Sequence, residues 1–135
     1  MQTKFLIPIV ILIAGSWFFY SNVGPTAPEG FIDMSATEAR PQLEANPDVI
    51  ILDIRTPQEY NQGHLEGAVN IDFYEKNFAF ELDKLNKDKQ YFVYCRTGNR
   101  SSKALRKMVE LGFQNVWHMD GGIVDWYGSG QPVVQ

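Results

Sequence analysis

Residues 91–102 read YFVYCRTGNRSS, and this stretch carries the clearest structural pattern in the chain. Its first four residues are apolar, which is typical of a strand buried on both faces of a parallel sheet. From Ser101 to Leu111 apolar residues recur at helical spacing, and Gly112 ends the pattern. The sequence therefore predicts a buried strand, a short loop that begins with Cys95, and a helix.

The alternation of strand and helix continues on both sides of this stretch. Further strands are predicted over residues 49–54, 68–71 and 115–119, and helices over residues 35–44, 56–63, 74–85 and 121–126. Strands that alternate with helices across short links imply a three-layer α/β fold. We expect a mainly parallel sheet of about five strands flanked by helices.

The loop after the predicted strand has the composition of an anion-binding site. Gly98 permits unusual backbone dihedrals, so successive N–H groups can converge where the helix dipole also favours negative charge. A Cys95 thiolate at this place is stabilised, and its pKa should fall. Arg96 and Arg100 add positive charge. The alternative, a small buried cysteine without chemistry, does not account for two arginines and a glycine beside it.

Composition limits the classes of protein and of site. The 135 residues are 44% apolar and 21% charged, which is typical of one globular domain. Twelve basic residues against 16 acidic ones give a net charge of −4, which argues against nucleic-acid binding. A single cysteine excludes an internal disulfide, and with only two histidines we expect neither a metal site nor another cofactor.

The amino-terminal segment differs from the rest of the chain. Residues 5–20 are uncharged and mostly apolar and follow Lys4, which is typical of an export signal or a membrane anchor. The aromatic residues 17–20 favour an uncleaved hydrophobic anchor helix, whereas the small residues 14–16 would suit signal cleavage. We therefore divide the chain into a signal peptide or signal anchor (1–23), a linker (24–32), a domain (33–132) and a tail (133–135). The domain is expected to be membrane-anchored or exported, on the extracytoplasmic (periplasmic) side.

Several motifs follow one another in a defined order. They are ILDIRTPQEY (51–60), GHLEGAVNI (63–71), CRTGNRS (95–101), LGF (111–113) with NV (115–116), and a closing motif of Gly121, Gly122, Ile123, Trp126, Gly130 and Pro132. This ordered set resembles the single-domain rhodaneses, a family of sulfurtransferases. Each motif is weak alone, but together they cover nearly all of residues 33–132 and imply a rhodanese-like fold.

The resemblance implies a cycle in which Cys95 carries sulfur. Cys95 would accept a sulfane sulfur from a donor such as thiosulfate, become a persulfide, and pass the sulfur to cyanide or a thiol. Arg96 would bind the donor, and Arg100 would brace the loop through an acid, with Asp53 and Glu59 both open as its partner. The other loop residues that would bind substrate are Thr97, Gly98, Asn99 and Ser101. Because the chain has no second cysteine, the sulfur would leave to a small molecule or to an acceptor protein.

Two other functions stay open on the sequence. A cysteine-dependent phosphatase or arsenate reductase would carry C-x5-R, whereas Cys95 and Arg100 form the shorter C-x4-R. A tethered sulfur-carrier or recognition module without turnover would also keep the fold. Residues 72–74 are expected near the mouth of the site. His64 is interpreted as a structural residue in a turn, and His118 as a packing or surface residue.

Overall fold

Five parallel strands form one sheet in the computed structural model, which describes residues 29–135. The strands are β1 (Phe31–Met34), β2 (Ile50–Asp53), β3 (Val69–Asn70), β4 (Gln90–Tyr94) and β5 (Asn115–Met119). Their order across the sheet is β1-β5-β4-β2-β3. Because all neighbours are parallel, the carboxyl ends of the strands lie at the same edge. β4 is the middle strand, so its carboxyl end is at the centre of that edge.

Helices cover both faces of the sheet, which confirms the predicted α/β layers. They are α1 (Ala36–Ala45), α2 (Pro57–Asn61), α3 (Phe78–Asp83), α4 (Asn99–Glu110) and α5 (Gly122–Gly128). One apolar core contains Leu82 of α3 and Met108 of α4. The other contains Ala39 of α1 and Trp126 of α5. Helices α3 and α4 therefore lie on one face of the sheet, and α1 and α5 lie on the other.

Several predicted elements differ in the structure. The helix predicted over residues 74–85 is only α3, because the Asp72 carboxylate accepts a hydrogen bond from the Tyr74 N–H at 2.9 Å and stabilises a turn instead. Strand β1 was not among the predicted strands and begins inside the predicted linker. The end of the chain also contacts the domain, since Val134 forms an antiparallel bridge with His64.

The predicted signal or anchor segment, residues 1–23, lies outside the described residues. Within residues 29–135, no helix has both the length and the apolar character needed to cross a bilayer. The export signal or membrane anchor therefore stays a prediction from the sequence.

A buried ion pair stabilises the carboxyl edge of the sheet beside β4. Asp53, at the end of β2, is fully buried and accepts hydrogen bonds from the Arg55 guanidinium at 2.6, 2.9 and 3.1 Å. The Tyr94 hydroxyl donates to the same carboxylate at 2.7 Å, and Arg55 also donates to the Gly63 carbonyl at 2.8 Å. These contacts join β2 and the turn at Gly63 to Tyr94, which ends β4 and directly precedes Cys95.

Asp53→Ala is expected to lower the free energy of unfolding by about 3–5 kcal/mol, because it leaves the buried Arg55 charge without its counter-ion. Equilibrium denaturation in urea measures the loss. Glu44→Ala is the matched control, since it removes the more exposed Arg40–Glu44 pair on α1 and should cost less than about 1 kcal/mol. Equal losses for the two variants would contradict the importance of the buried pair.

Candidate active site

The loop that begins with Cys95 is held against the start of α5. The N–H groups of Ile123 and Val124 donate to the carbonyls of Cys95 and Arg96 at 2.9 and 3.1 Å. The approach is so close that a Cβ atom on Gly122 would lie 2.3 Å from the Arg96 carbonyl oxygen. The closing GGI motif therefore fixes the path of the loop.

Gly98 is the residue at which the loop turns into α4. Its φ of +94° lies in the left-handed region, and a Cβ atom there would lie 1.8 Å from the Asp120 carbonyl oxygen. Only glycine fits this backbone and this space. Because the turn at Gly98 is complete by Asn99, α4 begins two residues earlier than the predicted Ser101.

Three possible donors of this turn lie within hydrogen-bond distance of the Cys95 sulfur. The Gly98 N–H lies 3.1 Å from Sγ, the Ser101 N–H 3.5 Å and the Ser101 hydroxyl 3.3 Å. Burial raises the pKa of the Cys95 thiol, but the hydrogen bonds from Ser101, Gly98 and the Thr97 N–H outweigh it, so the pKa lies below that of an ordinary thiol. The converging N–H groups agree with the sequence prediction, and they favour a thiolate at Sγ.

The acid that pairs with Arg100 is Glu59. The sequence had allowed either Glu59 or Asp53 as this partner. The two outer nitrogens of Arg100 donate to the two Glu59 carboxylate oxygens, each at 2.8 Å. The hydrogen bond from Arg100 is the main reason why the pKa of Glu59 falls to about 2, although partial burial of the carboxylate works in the opposite direction and raises the pKa. Glu59 also accepts from the Thr56 N–H at 3.0 Å and so caps α2. Asp53 is occupied by Arg55.

The Ser101 hydroxyl has a second buried partner that the sequence analysis did not identify. Its Oγ lies 2.7 Å from His118 Nε2, and His118 Nδ1 lies 2.8 Å from an Asp33 carboxylate oxygen. His118 is 3% exposed, so it is not a surface residue, and its hydrogen bonds show that it does more than pack. The register Asp33↔His118 between β1 and β5 creates this contact. The sequence analysis did not indicate this Asp33–His118 contact, because β1 was not among the predicted strands.

The remaining predicted site residues lie at the rim of the loop. Arg96, Thr97 and Asn99 are exposed, and Thr97 acts on the sulfur through its backbone N–H. Tyr74, from the segment expected at the mouth, is 67% exposed, and its ring centroid lies 5.4 Å from the Arg100 guanidinium carbon. His64 stacks on Tyr60, with ring centroids 3.7 Å apart, and hydrogen-bonds to the Tyr60 carbonyl, as expected of a structural residue.

Comparison with known proteins gives consistent matches. The profile of the rhodanese-like domain matches residues 35–129. The chain is 37% identical over 89 residues to the tRNA uridine(34) hydroxylase of Photorhabdus laumondii, and 36% identical over 113 residues to that of Escherichia coli. These alignments cover 63% and 81% of this chain but only 25% and 30% of the two relatives. The chain therefore spans at most about a third of the length of these curated relatives.

Solved structures share the fold. A rhodanese-related protein from Thermoplasma volcanium superimposes with a TM-score of 0.65 and 32% identity, over 76% of this chain and 97% of that one. The polysulfide-sulfur transferase homodimer from Wolinella succinogenes has a TM-score of 0.63 and 26% identity, over 80% of this chain and 81% of that one.

Gly98→Ala is expected to be far more damaging than Gly112→Ala. Both glycines have φ near +90° (94° and 89°), which costs an L-residue about 1–2 kcal/mol, but at Gly112 no atom lies within 4 Å of the Cβ position. We therefore expect Gly112→Ala to lower the free energy of unfolding by only that amount. Gly98→Ala should lower it by about 1–3 kcal/mol more, because its Cβ atom clashes with the Asp120 carbonyl. Urea denaturation measures both losses. Similar losses would show that the loop adapts freely.

The stabilising effect of the Glu59–Arg100 pair should depend on pH. The pKa of Glu59 is about 2 in the folded chain against an ordinary 4.5, so the contribution is complete above pH about 4.5 and is lost as pH falls toward 2. The free energy of unfolding of wild type should exceed that of Glu59→Gln by about 1–2 kcal/mol near neutral pH, and this difference should shrink below pH about 4.5. Denaturation of both proteins across this range measures it. Glu66→Gln, which changes an exposed carboxylate, is the control for loss of a negative charge. A stability difference between wild type and Glu59→Gln that does not change with pH would contradict the role given to this pair.

Proposed function

The chain belongs to the rhodanese-like domain family, and we propose that it is a sulfurtransferase that carries sulfur as a persulfide on Cys95. The observation that supports this proposal is the set of three donors, two N–H groups and one hydroxyl, that converge on a single buried sulfur. Such a site stabilises negative charge on Sγ. A second sulfur bound to Sγ would carry its charge close to these same donors.

The proposed cycle has two displacement steps. In the first, the Cys95 thiolate attacks the outer sulfur of a donor such as thiosulfate, the S–S bond of the donor breaks, and sulfite leaves with the electron pair. In the second, a nucleophilic acceptor, cyanide or a thiol, attacks the outer sulfur of the persulfide. The S–S bond of the persulfide then breaks and its electron pair restores the Cys95 thiolate.

The surroundings of Cys95 support a small or slender sulfur donor. Cys95 is 1% exposed, so the reacting sulfur must enter the loop. Arg96 is exposed at the rim, where its charge would attract the anionic end of the donor. Because Cys95 is the single cysteine of the chain, an external acceptor must remove the sulfur.

The geometry weighs against a phosphatase or an arsenate reductase. In such an enzyme the loop arginine would bind the oxyanion, but here both outer nitrogens of Arg100 donate to Glu59. A sulfur carrier without turnover differs from the proposed enzyme only in its second step, so measurement of acceptor turnover separates the two.

A second candidate function comes from the curated relatives, which are named tRNA uridine(34) hydroxylases. The identity of 36% over 81% of this chain favours it. One fact counts against it: the net charge of −4 is unfavourable for binding RNA. An extracytoplasmic location, which we propose from the leader sequence, would also separate the domain from tRNA. We therefore place sulfur transfer to a small acceptor or an acceptor protein first.

Treatment of the full chain with thiosulfate, followed by removal of excess reagent, is expected to add one sulfur atom to its intact mass. Cyanide should then remove that atom as one equivalent of thiocyanate, and with thiosulfate and cyanide both present the chain should form thiocyanate in repeated turnovers. Cys95→Ala should neither gain sulfur nor turn over, whereas Lys103→Gln, which removes a nearby exposed charge on α4, should behave as wild type. Absence of added sulfur on the wild type, with thiosulfate and with a polysulfide donor, would refute the proposed function.

A further inference from the structure

A continuous line of hydrogen bonds connects the buried sulfur to the surface. It runs from Cys95 Sγ to Ser101 Oγ (3.3 Å), from Ser101 Oγ to His118 Nε2 (2.7 Å), and from His118 Nδ1 to Asp33 (2.8 Å). The first three residues are 1%, 0% and 3% exposed, whereas the Asp33 side chain is 67% exposed. The line therefore begins at the proposed nucleophile and ends in water.

The hydrogens along this line are fixed by the chemistry of its ends. The Asp33 carboxylate only accepts, so His118 Nδ1 carries a hydrogen. In neutral His118, Nε2 is then an acceptor and takes the hydroxyl hydrogen of Ser101. In the imidazolium, Nε2 donates to Ser101 Oγ instead, and the hydroxyl hydrogen is free to point at Sγ. The protonation state of His118 thus decides whether Ser101 donates to the sulfur.

A competing acceptor does not remove this dependence. The Gly98 carbonyl oxygen lies 3.2 Å from Ser101 Oγ and could also receive the hydroxyl hydrogen. When Cys95 is a thiolate, Sγ carries a full charge, and a charged acceptor forms the stronger hydrogen bond.

We propose that Ser101 and His118 form a proton relay that ionises Cys95. The thiol proton passes to Ser101 Oγ while the Ser101 hydroxyl proton passes to His118 Nε2, so the products are a thiolate and an imidazolium and the net charge is unchanged. Ser101 contacts the reacting sulfur, whereas His118 and Asp33 act through it as positioning residues. The relay deepens the proposed function, because the thiolate is the species that attacks the sulfur donor.

In the described part of the chain, His118 contacts one charged group directly, Asp33, and reaches a second, the Cys95 thiolate, through Ser101. From β1 it faces Asp33, and from β4 it is paired in register with Val93. Helix α4 turns Ser101, Ala104 and Met108 toward the sheet. The charged residues of α4 lie away from His118: Arg100 pairs with Glu59, Lys107 pairs with Glu110, and Lys103 and Arg106 are exposed, as is Asp120 after β5. Asp33 is thus the carboxylate that balances the imidazolium.

The relay predicts that the ionisation of Cys95 depends on His118. The rate of alkylation of the full chain by iodoacetamide, measured against pH without any sulfur donor, reports the thiolate. His118→Gln keeps an N–H donor for Ser101 but cannot take a proton, so the midpoint of the pH profile should rise by at least about half a unit. Ser101→Ala should raise it further. Ser102→Ala is the matched control, because Ser102 Oγ donates to the Gly98 carbonyl at 2.7 Å, and its midpoint should not move.

The relay also predicts the reciprocal effect, which needs no change at His118. The protonation of the His118 ring, followed by NMR, should have a midpoint at least about half a pH unit lower in Cys95→Ala than in wild type, because the thiolate that stabilises the imidazolium is gone. The ring of His64, the other histidine of the chain, is the internal control.

Two results would overturn the relay. One is a His118 midpoint that is the same with and without Cys95, and the other is an alkylation profile that is unchanged in a folded His118→Gln. Should His118→Gln fail to fold, the comparison of wild type with Cys95→Ala decides alone. Neither measurement uses a sulfur donor, so the relay can fail while sulfur loading of Cys95 succeeds, and the converse.

Discussion

A sulfur anion at the buried end of a strand needs hydrogen bonds from the protein to replace the water that it has lost. Cys95 sits at the end of the central strand, and it obtains these bonds from the residues directly after it. The left-handed turn at Gly98, the early start of α4 and the close approach of Gly122 to the loop all bring N–H groups toward one atom. The fold places this loop at the centre of the carboxyl edge, where parallel α/β sheets generally bind ligands.

Formal charges around the site are paired locally. Arg55 is neutralised by Asp53, and Arg100 by Glu59, so the two buried or half-buried guanidiniums mainly hold the chain in place. Arg100 braces the loop through an acid, as the resemblance implied, because its two outer nitrogens face the Glu59 carboxylate. Stabilisation of the anion therefore comes chiefly from N–H and O–H dipoles. In the proposed function, the exposed Arg96 is the cation that attracts the donor.

Local patterns in the sequence predicted the strand, loop and helix around Cys95, because apolar periodicity and glycine placement act over a few residues. The same patterns overestimated the helix before α3, since the Asp72 side chain competes for a backbone N–H there. Contacts between distant segments were beyond such reasoning. The choice of Glu59 rather than Asp53 for Arg100 depends on how α2 and α4 pack, and the Asp33–His118 contact depends on the register of β1 with β5. Spatial neighbours of this kind have no signature in a single sequence.

Glu59 has a consequence for how the molecule opens. One carboxylate both caps α2 and binds the outer nitrogens of Arg100 in the first turn of α4. Fraying of the first turn of α2 would weaken the hold on Arg100, and loosening of the Cys95 loop at Arg100 would weaken the cap of α2. We therefore expect the two segments to open as one cooperative unit, and their amide hydrogens to exchange with solvent together although 41 residues of chain separate them.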